Sequence, residues 1–89
     1  MFGGRTYAIY NADIPRMLRK NIMLPEPFTN TDVNNYFVSI ALESEVDITS
    51  DYFAQKFTGG FNIYFKKRDG SNWYENSVIW FNYTVVINH

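Results

Sequence analysis

Residues 61–87 read FNIYFKKRDGSNWYENSVIWFNYTVVI, two alternating runs separated by a turn. Phe61, Ile63 and Phe65 alternate with Asn62, Tyr64 and Lys66, and Ile79, Phe81, Tyr83, Val85 and Ile87 recur at every second position. A two-residue period marks a β-strand, because successive side chains point to opposite faces. Asp69-Gly70 between two such runs is a strong hairpin signal. The stretch therefore predicts a C-terminal β-hairpin that carries much of the core, and no catalytic signature lies on it.

Working upstream, Tyr36, Val38, Ile40, Leu42, Val46 and Ile48 keep even positions while Glu43, Glu45 and Asp47 fall on odd ones. A helix would scatter these carboxylates and a strand puts them in single file, so residues 36–48 read as one long central strand. Thr49 then reads as the N-cap of a short helix, with Ile48 stapled on Phe53, Phe53 and Phe57 one turn apart, and Gly59-Gly60 as its stop. Near the other end, Arg5 to Tyr10 reads as a short strand. Asp13 reads as the cap of a first helix, with Pro15 in its first turn and Ile14, Met17 and Leu18 on one side. Arg16, Arg19 and Lys20 point elsewhere on that helix, and Asn21 ends it. Pro25 and Pro27 hold residues 24–28 extended. The expected order is β-α-(extended)-β-α-β-β: a single α+β domain over residues 1–89, with a mainly antiparallel sheet and two short helices on one face.

One conflict stands inside this reading. A two-residue Asp69-Gly70 loop pairs Phe65 with Tyr74, which turns even positions of the last strand inward, yet the stronger apolar file there is odd. A bulge near Asn76-Ser77, a central strand covered on both faces, or a second subunit over Trp80 and Val86 would each resolve it.

Composition narrows the function. Eighty-nine residues without cysteine form a domain that neither disulfides nor cysteine-ligated zinc can hold together. Eight Phe, seven Tyr and two Trp supply the core, and so many phenolic tips point to a surface that meets a partner. A net charge of −1 provides no global attraction to nucleic acid or an anionic membrane. No signal peptide is evident and no apolar run reaches membrane-spanning length, so a cytoplasmic protein, or a virion component if phage-encoded, is expected.

Candidate chemistry is sparse. The single histidine is His89, and a chain terminus is a poor place to position a general base. Glu43 and Glu45 on one strand face would lie about 6.5–7 Å apart, a spacing that fits inverting glycosidases. Catalytic carboxylates, however, flank a substrate from opposite walls. With Asp47 and Asp51 the file lacks the loop that wraps calcium, so it reads as a solvated face that pairs with Lys66 or Arg68. Gly59-Gly60-Phe61 ahead of Ile63-Tyr64-Phe65 invites comparison with the aromatic strand of an RNA-recognition motif, but the basic-glycine start is missing and Asn62 and Ile63 occupy the wrong slots. Asn82-Tyr83-Thr84 matches a glycosylation acceptor inside a strand, and Gly3-Gly4 precedes a strand where a phosphate loop would precede a helix.

The expectation is a non-enzymatic domain that binds another protein, of the kind that serves as an inhibitor, immunity or accessory protein. A structural or dimeric subunit comes second and single-stranded nucleic-acid binding third. Its contact surface is expected at the hairpin tip, Lys66, Lys67, Arg68, Trp73 and Tyr74, where a tryptophan beside cations resembles an interface hot spot. The acidic file Glu43, Glu45 and Asp47 is the secondary surface, and Trp80 with Val86 is the dimer face. No cofactor or metal is called for, so EDTA is expected to leave the melting temperature unchanged; a drop of several degrees would show a structural metal.

Overall fold

The computed structural model describes residues 1–43 and 50–88. It contains strands β1 (Phe2–Tyr10), β2 (Met17–Met23), β3 (Tyr36–Leu42), β4 (Ser50–Phe57), β5 (Gly60–Lys67) and β6 (Val78–Ile87), and one short 3-10 turn at Val33–Asn35. The strands form one antiparallel sheet in the order β3-β6-β1-β2-β5-β4. Its two ends curl towards each other into a nearly closed six-stranded barrel. The fold is therefore all-β, which overturns the α+β expectation with two helices.

Both expected helices are strands, for identifiable reasons. Ahead of β2 the polar residues make a turn: Asn11 Oδ1 accepts from the Asp13 amide, and the Ile14 amide donates to the Asn11 carbonyl. A side-chain oxygen that could cap a helix closes an Asx-type turn here. In β2, Leu18 and Ile22 are buried with the half-buried Lys20 between them. Spacing i, i+4 fits a helix face and a strand face alike, and a lysine at the middle inward position hides the period of two. In β4 the same ambiguity attaches to Phe53 and Phe57. Tyr52, Ala54 and Lys56 lie opposite the buried Phe65, Ile63 and Phe61 of β5, so Phe53 takes the outer face and stacks on Tyr64 at 5.0 Å.

The C-terminal hairpin is corrected too. Asp69-Gly70 does turn, with Gly70 at φ 76° and its amide on the Lys67 carbonyl, but β5 and β6 are not neighbours. Both edges of β5 are taken by β2 and β4, and both edges of β6 by β1 and β3. Residues 68–77 instead cross one end of the barrel. The phase conflict disappears with the hairpin: β6 is a central strand whose odd file faces the core, and its even file, including Trp80 and Val86, faces out. Of the long strand expected over residues 36–48, β3 ends at Leu42; residues 44–49, including Val46 and Ile48, lie outside the described residues.

The core is a layer of rings and branched side chains drawn from five strands. Phe65 meets Phe81 at 5.5 Å, Phe61 meets Tyr83 edge-on at 6.0 Å, and Leu18, Ile63 and Val85 fill between them. Trp73 closes one end: its indole N–H donates to the Phe65 carbonyl at 3.2 Å and its amide to the Pro15 carbonyl at 2.9 Å. At the other end lie buried Leu24 and half-buried Phe28, the latter stacked on Phe2. The Leu24 amide donates to Gly59 and the Gly59 amide to Thr31. Gly59, at φ 79°, has room for no side chain, since a Cβ would stand 2.1 Å from the Thr29 carbonyl oxygen.

Among the described residues no ladder joins the two end strands, β3 and β4; side chains do. Tyr36 is fully buried and aims its hydroxyl at the carbonyls of Phe57, at 2.8 Å, and Gly60. Lys56 reaches the other way, its Nζ donating to the carbonyls of Val33 at 2.7 Å and Tyr36 at 2.9 Å. Burial pushes the Tyr36 phenol above its usual value, against a smaller opposing effect of the Phe57 contact. The folded state thus keeps this proton after the unfolded chain has lost it. Its contribution is complete below the ordinary tyrosine value, about 10, and is lost as pH rises through the folded value. Tyr36→Phe is expected to cost about 1–3 kcal/mol by leaving carbonyls unpaired, and to flatten the fall in urea stability above about pH 10. An unchanged alkaline slope in the variant would assign that titration to another group.

Candidate functional site

The outward file of β6 and its neighbours carries what the core did not absorb. Val78 lies directly opposite Ile9 of β1, Ile9 opposite Arg19 of β2, Arg19 opposite Tyr64 of β5, and Tyr64 opposite Phe53 of β4. One transverse row of the sheet therefore runs apolar, apolar, cationic, aromatic, aromatic. In the adjacent row Trp80 faces Tyr7 with ring centroids 4.7 Å apart. Ile9 and Val78 are 50% and 46% exposed and Trp80 is 38% exposed, an apolar patch across the neighbouring strands β6 and β1.

Cations rim this patch. The Arg5 guanidinium lies 4.0 Å from the Trp80 ring centroid while its Nε donates to the Glu43 carboxylate. Lys20 Nζ lies 5.2 Å from the Tyr7 ring. Arg19 and Lys20 make no ion pair among the described residues, where the two ion pairs are Arg5–Glu43 and Arg68–Asp51. Beside them β1 and β2 part company. Their ladder consists of Ile9↔Arg19 and Tyr10↔Leu18, although both strands run on beyond it. A concavity of about 480 Å³ lies beside this short ladder, lined by Tyr7, Ile9, Tyr10, Asn11, Ala12, Arg19, Lys20 and Asn21.

The residues expected at the hairpin tip are brought together around the 68–77 loop, with one exception in orientation. Tyr74 is 74% exposed, Lys66 and Arg68 are exposed, and Lys67 Nζ lies 5.0 Å over the Tyr74 ring and 5.2 Å over Trp73. Trp73 itself is 8% exposed and belongs to the core. It is not opposite Lys66, whose neighbours are Met17 and Asp51. Arg68 is tied to Asp51 at 2.9 Å. The Asp69 carboxyl is held below its usual value, first by the Ser71 hydroxyl and then by the Ser71 amide. Glu43 pairs with Arg5, not with Lys66 or Arg68, and Glu45 and Asp47 lie outside the described residues. Trp80 and Val86 do share one face of β6, Trp80 against Tyr7 and Val86 against Phe37 of β3.

Arg5, Tyr7, Ile9, Arg19, Lys20 and Val78 were not among the expected site residues. Two signals pointed to them: the outward phase of Val78 and Trp80, and the matching Tyr7-Ile9 file. Reading β2 as a helix hid that Arg19 stands in the same outward row as Ile9 and Tyr64.

Among the described residues no three His, Asp or Glu side chains converge as metal ligands. No helix among them is long and apolar enough to cross a membrane. No family model, curated protein or solved structure matches the chain.

The two tryptophans should separate stability from surface. Trp73→Ala is expected to cost about 3–5 kcal/mol, whereas Trp80→Ala should leave the thermal midpoint within a few degrees. Equal losses in thermal melts would place Trp80 in the core as well.

Proposed function

We propose that the protein is a non-enzymatic binding domain for another protein, acting in the cytoplasm through the outer face of β6, β1 and β2. The observation that carries this reading is the Trp80–Tyr7–Ile9–Val78 patch with Arg5, Arg19 and Lys20 at its rim. An apolar centre of aromatic residues inside a ring of arginine and lysine is the usual anatomy of a protein interface. Contiguous apolar surface on a small monomer marks interaction sites more often than scattered apolar residues do. An inhibitor, immunity or accessory role suits a domain whose work is surface recognition.

The same rings argue against nucleic acid as the first choice. Base stacking needs an open ring face, and Arg5 and Tyr7 pack against Trp80 while Phe53 covers Tyr64. A second reading, a self-associating subunit, is favoured by Phe37 and Val86, which are exposed and directly opposite each other on β3 and β6.

Affinity purification from the native host with mass spectrometry tests the reading. The captured protein is expected to be lost with Trp80→Ala combined with Ile9→Glu, and retained with Tyr74→Ala combined with Arg68→Ala. Loss only with the second pair would move the contact surface to the 68–77 loop. A dimer by light scattering that Val86→Glu dissociates would favour the subunit reading instead.

A further inference from the structure

Two cations and two tyrosines meet in the concavity of about 480 Å³ beside the β1–β2 ladder. Arg19 faces outward, in the row of Ile9 and Tyr64. Lys20 follows it in the strand and so starts on the opposite side, between the buried Leu18 and Ile22. The ladder stops before Lys20: it pairs Ile9 with Arg19 and Tyr10 with Leu18, but not Ala8 with Lys20. At that position the lysine is half-buried, and its Nζ lies 5.2 Å from the ring of Tyr7. Tyr7 stands on the outer face, opposite Trp80. Arg19 and Lys20 therefore line one concavity although their strand positions point apart.

The lining carries charge of one sign. Neither cation has a carboxylate within ion-pair distance among the described residues, and no Asp or Glu lines the concavity. A guanidinium takes a carboxylate through two parallel hydrogen bonds, and its plane also stacks on aromatic rings. Tyr7, Ile9, Tyr10 and Ala12 supply apolar surface beside the cations. Tyrosine rings favour offset or edge contacts with a second ring. The volume falls within the range of about 300–1,000 Å³ usual for small-molecule sites, where a few placed polar groups orient an otherwise apolar contact.

We infer that this concavity binds a small aromatic carboxylate, its anionic head on Arg19 and Lys20 and its ring against Tyr7 and Ile9. The inference goes beyond the proposed protein contact and does not depend on it. The charged head fixes orientation and the ring supplies the buried area, so neither part alone suffices.

The test titrates the isotope-labelled whole chain with naphthalene-2-carboxylate and follows the backbone amides by two-dimensional NMR. Saturable shifts are expected with a Kd of about 1 mM or tighter. The largest should fall at Ile9, Tyr10, Arg19, Lys20 and Asn21. The corresponding carboxamide has the same shape without the charge and should bind at least about tenfold more weakly, the usual gain from hydrogen bonds to a charged group. Acetate, a head without the ring, should be weaker by at least a similar factor. Arg19→Gln combined with Lys20→Gln should weaken binding of the naphthalene carboxylate about tenfold or more. The carboxamide and acetate arms use the native chain and keep the test decisive if that variant folds poorly.

Equal affinity for carboxylate and carboxamide would overturn the anionic site. Equal affinity for acetate and the naphthalene carboxylate would reduce it to a pair of surface cations and overturn it likewise. Shifts centred on Lys67 and Tyr74, where another ammonium lies over a tyrosine ring outside the concavity, would overturn the placement. No saturable binding up to about 10 mM would overturn the inference as a whole.

Discussion

Everything in this fold depends on how the two ends of the sheet are joined. β3 and β4 lie at opposite ends of the strand order and share no ladder, so a six-stranded sheet of this kind would ordinarily leave two open edges. Tyr36 and Lys56 replace the missing ladder with two reciprocal contacts: a phenol from β3 on β4–β5 carbonyls, and an ammonium from β4 on carbonyls at the start of β3. These side chains reach where two backbones, diverging with the twist of the barrel, do not. Because Tyr36 is fully buried, its hydroxyl has no water to fall back on, and the closure is correspondingly specific.

That closure determines which surfaces are left facing outward. Among the described residues the interior is filled by Phe61, Phe65, Phe81 and their neighbours, with Trp73 and Leu24 towards its ends. On the outside, Trp80, Val78, Tyr7 and Ile9 form an apolar patch across the neighbouring strands β6 and β1. Arg5 is the hinge of that surface, since it touches the Trp80 ring and the Glu43 carboxylate together. Its two contacts hold a cation over an aromatic face, an arrangement that keeps the patch in water without hiding it.

The strands whose apolar file is unbroken were legible in the sequence: β5 and β6, the first half of the 36–48 run, and β1 apart from its first residues. β2 and β4 were not, because each places a lysine at an inward position. Lys20 sits between Leu18 and Ile22, and Lys56 follows Tyr52 and Ala54, so the alternation drops out where a strand most needs to show it. The chain does turn near Asp69-Gly70, but the Gly70 amide closes on the Lys67 carbonyl around Arg68-Asp69 and no hairpin follows, since a turn reverses the chain without saying which edge is free. Of the residues expected at a contact surface, the structure moves one inward and gives another new neighbours. Trp73 has the right composition for a hot spot and the wrong depth, whereas Trp80 was placed on an outward face but without Tyr7 and Arg5 beside it.

The position of β6 between β1 and β3 imposes an order on assembly. This last strand of the six is also an inner one, and it bonds along nearly its whole length to strands that begin some 76 and 42 residues earlier in the chain (78 − 2 and 78 − 36). Closing such distant pairs is slow compared with forming local turns. During synthesis the chain must carry β1 and β3 with bare edges until Val78–Ile87 arrives, and bare edges invite pairing with other nascent chains. The Tyr36–Lys56 contacts join β3 to β4 and β5, whereas β3 reaches β1 only through β6, so the ring of strands is complete only once Val78–Ile87 is in place.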